Sequence, residues 1–197
     1  MNSAHRDALN AYLAADLHYS GVAGGWRVYY SITRRALYFQ RVLRRAEYWH
    51  SRPRNLCVFF MQLWYRFRLA RLGERTGMYI PRGTCAAGLS IAHPGLLVIN
   101  GHARIGPRCR LSQGVTIGAA SDGAPVLGPD VFVGPNAQVI GRVTVAQGTT
   151  VLPGAVVIKD TEPFSTVGGV PAKTVKTGTP PWHQTLLHIS PRPTDWM

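Results

Sequence analysis

Residues 99–157 read INGHARIGPRCRLSQGVTIGAASDGAPVLGPDVFVGPNAQVIGRVTVAQGTTVLPGAVV, and an aliphatic side chain returns at every sixth position through most of them. One register runs Ile99, Ile105, Leu111 and Ile117. A second, after a phase break, runs Leu127, Val133, Val139, Val145, Val151 and Val157. Four residues beyond eight of these positions stands a small or compact side chain: Ala103, Cys109, Val115, Val131, Ala137, Val143, Thr149 and Ala155. A helix repeats at about 3.6 and a strand at about 2, so neither produces this beat. A period of six with two inward positions requires a chain that turns a corner every six residues, three sides closing one triangular coil. Aliphatic residues then fill the prism, compact ones stand at its corners, and glycines such as Gly106, Gly118, Gly128 and Gly134 are expected to supply the corner backbone. A sandwich of short strands with glycine turns is the competing arrangement, and the in-phase positions weigh against it.

Between Ile117 and Leu127 the beat slips by four, so the surplus AASDGAPV is expected to leave the prism as a loop. Coils are committed to packing, which makes such an interruption a natural place for function.

The first 80 residues have a different character. Apolar residues Ala8, Leu9, Tyr12, Leu13 and Leu17 predict a helix from Ser3 to Tyr19, with Ser20-Gly21 as its stop. A second helical pattern runs from about Trp26 to Trp49, and a third, after Pro53, from about Asn55 to Leu72 with Gly73 as its end. The organisation read from the sequence is a helical region over 1–78, a β domain over 79–176 and a tail over 177–197 that forms an ordered or partly ordered strap.

Of a formal charge of +13, most lies in residues 1–80, where 13 Arg face four acids. The only three lysines lie between Lys159 and Lys176. Such basicity implies an anionic partner without choosing among nucleic acid, membrane, cofactor phosphate and acidic glycan. Cys57, Cys85 and Cys109 are scattered and odd in number, which fits a reducing compartment. The N-terminus carries Asp7 and Asp16 without a continuous apolar core, so no signal peptide is expected and a cytoplasmic protein is. The segment LCVFFMQLWY, residues 56–65, is flanked by Arg52, Arg54, Arg66, Arg68 and Arg71. Ten residues fall short of the roughly 20 that cross a bilayer. The segment reads as a core helix packing on its neighbours, with peripheral contact at the inner face of a membrane as the alternative. No nucleic-acid motif accompanies the arginines, so no nucleic-acid partner is expected.

From Tyr79 the resemblance to a known group becomes specific. Ile91-Ala92-His93, Val98-Ile99-Asn100, Ser112-Gln113-Gly114-Val115-Thr116-Ile117-Gly118 and Gly168-Gly169-Val170-Pro171-Ala172-Lys173 resemble serine acetyltransferases. They look closer still to the serine-acetyltransferase-like O-acetyltransferases of capsular and exopolysaccharide pathways. The pieces span residues 80–176, and Ala15-Asp16-Leu17 followed by a basic aromatic stretch resembles the same branch more weakly. The resemblance implies a hexapeptide-repeat, left-handed parallel β-helix. The hand comes from the resemblance, since it opposes the usual right-handed crossover.

Acetyl transfer from a thioester to a hydroxyl needs a base, oxyanion donors and a grip on coenzyme A. The resemblance implies acetyl-CoA as donor and His93 as the general base, with His102 as runner-up. Histidine suits the task because its ordinary pKa of about 6.5 leaves it mostly neutral near pH 7. Counting back in sixes from Ile99 puts His93 in the inward register, which favours a buried structural histidine unless Pro94-Gly95 resets the phase. By matching positions, Gly118 presents an oxyanion-binding N–H, Asn136 and Pro153 line the pantetheine path, and Lys159, Lys173 and Lys176 meet the phosphates. A coenzyme groove between prisms implies a homotrimer, doubled to a dimer of trimers through the N-terminal helices.

Two departures bear on the acceptor. Serine acetyltransferases have Asp where this chain has Ala92, and a second His where it reads Ala124-Pro125-Val126. Their absence favours a polysaccharide sugar hydroxyl over serine. Relatives commonly carry an acid at the position of Tyr79 to orient the imidazole, so that partner is unassigned, with a backbone carbonyl as its substitute. A zinc-dependent γ-class carbonic anhydrase on the same fold needs histidines in adjacent coils, and residues 103–176 contain none, so no metal is expected. A non-catalytic membrane-associated scaffold is the competing class.

Overall fold

A computed structural model describes residues 3–53 and 55–186. The β domain is a three-sided parallel solenoid. Its first face stacks β1 (Met78–Tyr79), β3 (Leu97–Ile99), β6 (Thr116–Gly118), β9 (Gln138–Ile140) and β12 (Val156–Val157). The second stacks β4 (Arg104–Ile105), β7 (Val126–Leu127) and β10 (Thr144–Val145). The third stacks β2 (Ser90–Ile91), β5 (Arg110–Leu111), β8 (Phe132–Val133), β11 (Thr150–Val151) and β13 (Thr166–Gly169), closed by antiparallel β14 (Ala172–Lys176).

The six-residue positions become vertical ladders. Ile99, Ile117, Val139 and Val157 pair in register on the first face, Ile105, Leu127 and Val145 on the second, and Leu111, Val133 and Val151 on the third. All ten are buried, as are the eight compact residues. Eighteen residues separate Ile99 from Ile117 and 22 separate Ile117 from Val139, so the slip of four is real. The surplus leaves as a tight hairpin in which the backbones of Ala120 and Gly123 bond each other, and β7 restores the register at Val126.

The corner glycines act differently from the expectation. Gly106, Gly118, Gly128 and Gly134 do not have positive φ; left-handed corners fall instead at Arg108, Asp130 and Asn136 and at Gly88, Gly114, Gly148 and Gly154. At Gly106, Gly128 and Gly134 what forces glycine is stacking distance, whereas a Cβ on Gly118 would meet only the end of the Ile140 side chain. A Cβ on Gly106 would stand 2.6 Å from the carbonyl carbon of Gly128, and one on Gly134 would stand 2.8 Å from the nitrogen of Pro153.

The described residues also form five helices: α1 (Ser3–Tyr19), α2 (Tyr30–Thr33), α3 (Arg35–His50), α4 (Leu56–Thr76) and α5 (Trp182–Leu186). The second predicted helix is divided, because Arg34 leaves helical geometry at φ −125° and ψ 70°. Asn55 caps α4 through its side chain, but Gly73 does not end it; the helix runs to Thr76 and Gly77 takes the left-handed stop. Gly73 is needed for another reason, since a Cβ there would lie 2.6 Å from the Met78 carbonyl oxygen. The expectation that residues 56–65 form a core helix also fails. Only Val58 among them is buried.

One ion pair joins helices to prism. Arg44 of α3, 1% exposed, meets Asp16 of α1 at 2.8 Å and spends its other N–H groups on Glu47 and on the carbonyls of Cys85 and Ala86 at the start of the prism. Asp16 in turn accepts from the backbone N–H groups of Gly88 and Leu89 at 2.9 and 3.0 Å. Burial pushes the Asp16 carboxyl up, and Arg44 with the two backbone donors opposes that shift. At the far end of the chain α5 docks on the third face. Trp182 is buried with its indole N–H on the Arg108 carbonyl at 2.7 Å, and His183 meets Asp130 at 3.0 Å. Arg108 also holds Asp130 in a two-point pair; burial pushes that carboxyl up, but Arg108 and His183 outweigh it and keep it below the usual range. Of the tail expected over 177–197, residues up to 186 are described, and the remainder, including His188, lies outside the described residues.

Removing one partner of a buried pair costs about 3–5 kcal/mol, because a charge is left buried and unpaired. Arg44→Met should therefore lower unfolding free energy in urea by about that amount. An Asp16→Leu/Arg44→Met double variant should fail to recover it, since four backbone groups of the first coil lose their partners as well. Recovery to near wild type would reduce the pair to a replaceable contact.

Candidate active site

His93 sits at the corner between the third and first faces. Ile91 pairs with Leu111 and Ile99 with Ile117, so eight residues bridge a corner that the next coil crosses in six. The two extra residues turn His93 out of the prism: it is exposed, as are Pro94 and Leu96, and the inward register counted from Ile99 does not hold. Gly95 makes the reset, with φ of +148°. The corner is tied to the end of α4, because Gly95 N–H donates to the Thr76 carbonyl at 2.9 Å and Leu97 N–H to that of Gly77 at 3.0 Å. The helical region thereby fixes where His93 stands.

Among the described residues no side chain or carbonyl hydrogen-bonds the His93 imidazole. Neither an acid nor the expected backbone carbonyl orients it, and Tyr79 points to solvent. Below it lies Gln113, whose Cβ would be 3.1 Å from a Cβ on Gly95 and whose side-chain oxygen is buried without a partner. In the sequence Gln113 belongs to the Ser112–Gly118 motif, and an 18-residue coil counted from His93 reaches Leu111, so its place beside His93 emerges only from the pairing of Ile91 with Leu111.

Asn136 and Pro153 occupy the same edge. Asn136 takes a left-handed corner at φ +59°, and its side-chain oxygen fills the space over Gly114, 1.9 Å from where a Cβ would be. Coils stack at about 4.8 Å, which puts Asn136 about 10 Å and Pro153 about 14 Å along the edge from His93. Lys173 of β14 pairs with Gly168 at the top of that edge and is exposed.

Gly118 and Lys159 fall on the next corner. Gly118 ends β6 opposite Ile140 and opens the hairpin loop, and Lys159 follows β12 by two residues. The three-residue strands of the first face separate this corner from that of His93 by roughly 10 Å. Lys176 belongs to neither corner, since it pairs with Thr166 at the other end of β14. One chain thus brings His93, Asn136, Pro153 and Lys173 onto one edge, and Gly118, the loop and Lys159 onto another. His102 is exposed on the turn before β4, at the edge of Gly118, so the two histidines do not share a site. Two sizeable cavities flank the helices, of about 520 and 790 Å³, and neither reaches His93; the larger stops at Leu96. No cluster of three metal-ligating side chains occurs among the described residues.

No family model matches the chain. It is 31% identical over 101 residues to the serine acetyltransferase of Buchnera aphidicola, covering 49% of this chain and 39% of that protein. It is 30% identical over 176 residues to the serine acetyltransferase of Bacillus pumilus, covering 85% of this chain and 70% of that one. The serine acetyltransferase structure from Brucella abortus superposes with a TM-score of 0.67 over 87% of this chain and 71% of its own, at 20% identity, which assigns the left-handed β-helical fold. Given the length shared with the Bacillus protein, the chain belongs to the serine acetyltransferase family of hexapeptide-repeat acyltransferases.

Proposed function

We propose that the chain transfers acetyl from acetyl-CoA to a hydroxyl, with His93 as the general base. The observation that carries this reading is an exposed, unpartnered imidazole on the edge that also bears Asn136, Pro153 and Lys173. His93 takes the proton of the acceptor hydroxyl as its oxygen attacks the thioester carbonyl. The Gly118 N–H stabilises the resulting oxyanion, and as the tetrahedral intermediate collapses the thiolate of coenzyme A leaves and takes the proton back from the His93 imidazolium. Asn136 and Pro153 line the pantetheine arm, and Lys159, Lys173 and Lys176 pair with phosphates.

The separation of His93 and Gly118 onto two edges favours a composite site. When the first edge of one prism faces the second edge of a neighbour, base and oxyanion donor come together. A homotrimer supplies three such grooves, and the helical regions offer the surface for doubling it. The setting proposed is cytoplasmic, at the inner face of a membrane.

Serine is the acceptor to which the named relatives point. A sugar hydroxyl of a polysaccharide or its precursor is the second reading, favoured by Ala92 and by Ala124-Pro125-Val126 where an amino-acid-holding acid and imidazole are missing. The two separate in a thiol-release assay with acetyl-CoA: turnover with free serine supports the first, and turnover only with a saccharide acceptor supports the second. With either acceptor, His93→Ala should lower kcat/KM about 10²- to 10⁴-fold while calorimetric binding of acetyl-CoA persists. Undiminished turnover would remove His93 from the role of base.

Asn136 allows its backbone and side chain to be tested apart. Asn136→Gly keeps the left-handed corner without strain, whereas Asn136→Ala adds about 1 kcal/mol of it. Both should raise the KM for acetyl-CoA to a similar extent, with only the alanine variant losing thermal stability. An unchanged KM in the glycine variant would restrict Asn136 to a structural role.

A further inference from the structure

The helix α4 is apolar on two opposite faces. One stripe, Val58, Tyr65, Leu69, Leu72 and Thr76, turns towards α3 and the prism, where Leu69 and Leu72 pack on the core. The other, Leu56, Phe60, Leu63 and Phe67, follows the spacing i, i+4, i+7, i+11, with Phe59 and Trp64 beside it. These six side chains are 53–74% exposed. At about 1.5 Å per residue, the stripe from 56 to 67 is about 17 Å long and lies along the surface of the protein. None of the described helices is long and apolar enough to cross a membrane.

Charge decides what covers this face. Arg66, Arg68 and Arg71 edge the stripe on the same helix, and Arg52 lies just before it. No acidic residue occurs between Glu47 and Glu74. Arg68 lies over the Trp64 ring at 5.8 Å and Arg71 over Phe67 at 5.9 Å, so the cations are held at the rim of the aromatic surface. Pairing this face with a second copy would gather the arginines of both with no carboxylate between them. An aromatic stripe rimmed by arginine suits instead an apolar layer under anionic headgroups, where rings enter the acyl boundary and guanidinium groups meet phosphates.

We propose that α4 docks the protein on an anionic lipid bilayer, lying flat with Leu56, Phe60, Leu63 and Phe67 inserted at the interface. The docking is independent of the acceptor and of the reaction at His93. It assigns the membrane contact to one helix face and makes it peripheral and reversible.

The test is co-sedimentation of the full chain with vesicles of phosphatidylcholine alone and with phosphatidylglycerol added, alongside mass measurement by light scattering. Wild type should sediment with the anionic vesicles, poorly with the neutral ones, and less as salt rises from 0.1 to 0.5 M by about an order of magnitude. A Phe60→Ser/Leu63→Ser/Phe67→Ser variant should lose about 100-fold in partitioning, keeping wild-type mass and acetyl-CoA consumption. A second variant, Arg66→Gln/Arg68→Gln/Arg71→Gln, should lose the preference for phosphatidylglycerol. The proposal is overturned if wild type stays in the supernatant with anionic vesicles, or if the serine variant binds them as well as wild type. It is equally overturned if the serine variant falls to a smaller assembly, which would assign the face to a second copy of the chain.

Discussion

Everything in this molecule answers to the requirement that each coil lay its backbone on the coil below. Ile99 over Ile117 over Val139 over Val157 is one ladder of that stack, and its neighbours on the other faces keep the same register. A strand of two or three residues has almost no stability alone. It is held by hydrogen bonds to strands above and below and by a side chain sealed inside the prism. Stacking distance also explains why Gly106 and Gly134 tolerate no Cβ although their φ is ordinary. The coils cannot spread to make room, because every strand would lose its partners together.

A stack with so rigid a pitch has an exposed end, and the helical region covers it. Arg44 and Asp16 do so by bonding carbonyls and N–H groups of residues 85–89, the first turn of the prism, as the next coil would have done. The end of α4 then holds the backbone of residues 95 and 97, next to His93. The position of His93, the proposed base, therefore depends on the helical region. The same helix turns its second apolar face outward, so one element sets the site and presents the surface proposed to meet lipid.

The prism was legible because its signal is a count. Aliphatic residues at sixes cannot be mimicked by another period, and the slip between Ile117 and Leu127 announced the hairpin. The corner of His93 defeated the same count, since two added residues before Ile99 are invisible until Ile91 is seen to pair with Leu111. The glycines misled for a related reason: sequence shows that a Cβ is absent, and not whether dihedral angle or stacking distance demands it. Residues 56–65 resembled a core helix because composition is silent about how many faces of a helix find a partner. The Arg44–Asp16 pair was hidden among 13 arginines and four acids in the first 80 residues, where nothing in the sequence says which two meet.

The regular coils thus make a scaffold, and the places where the count fails are where the acceptor chemistry is proposed to sit. Deleting residues 120–123 tests this directly, because it restores six residues between Ile117 and Leu127 and leaves His93 and the Lys173 edge untouched. The shortened protein should keep the far-ultraviolet spectrum, the melting temperature within a few degrees and the acetyl-CoA affinity of wild type, while transfer to the acceptor used by wild type falls at least about 100-fold. Transfer at the wild-type rate would contradict it, and so would a chain that no longer folds.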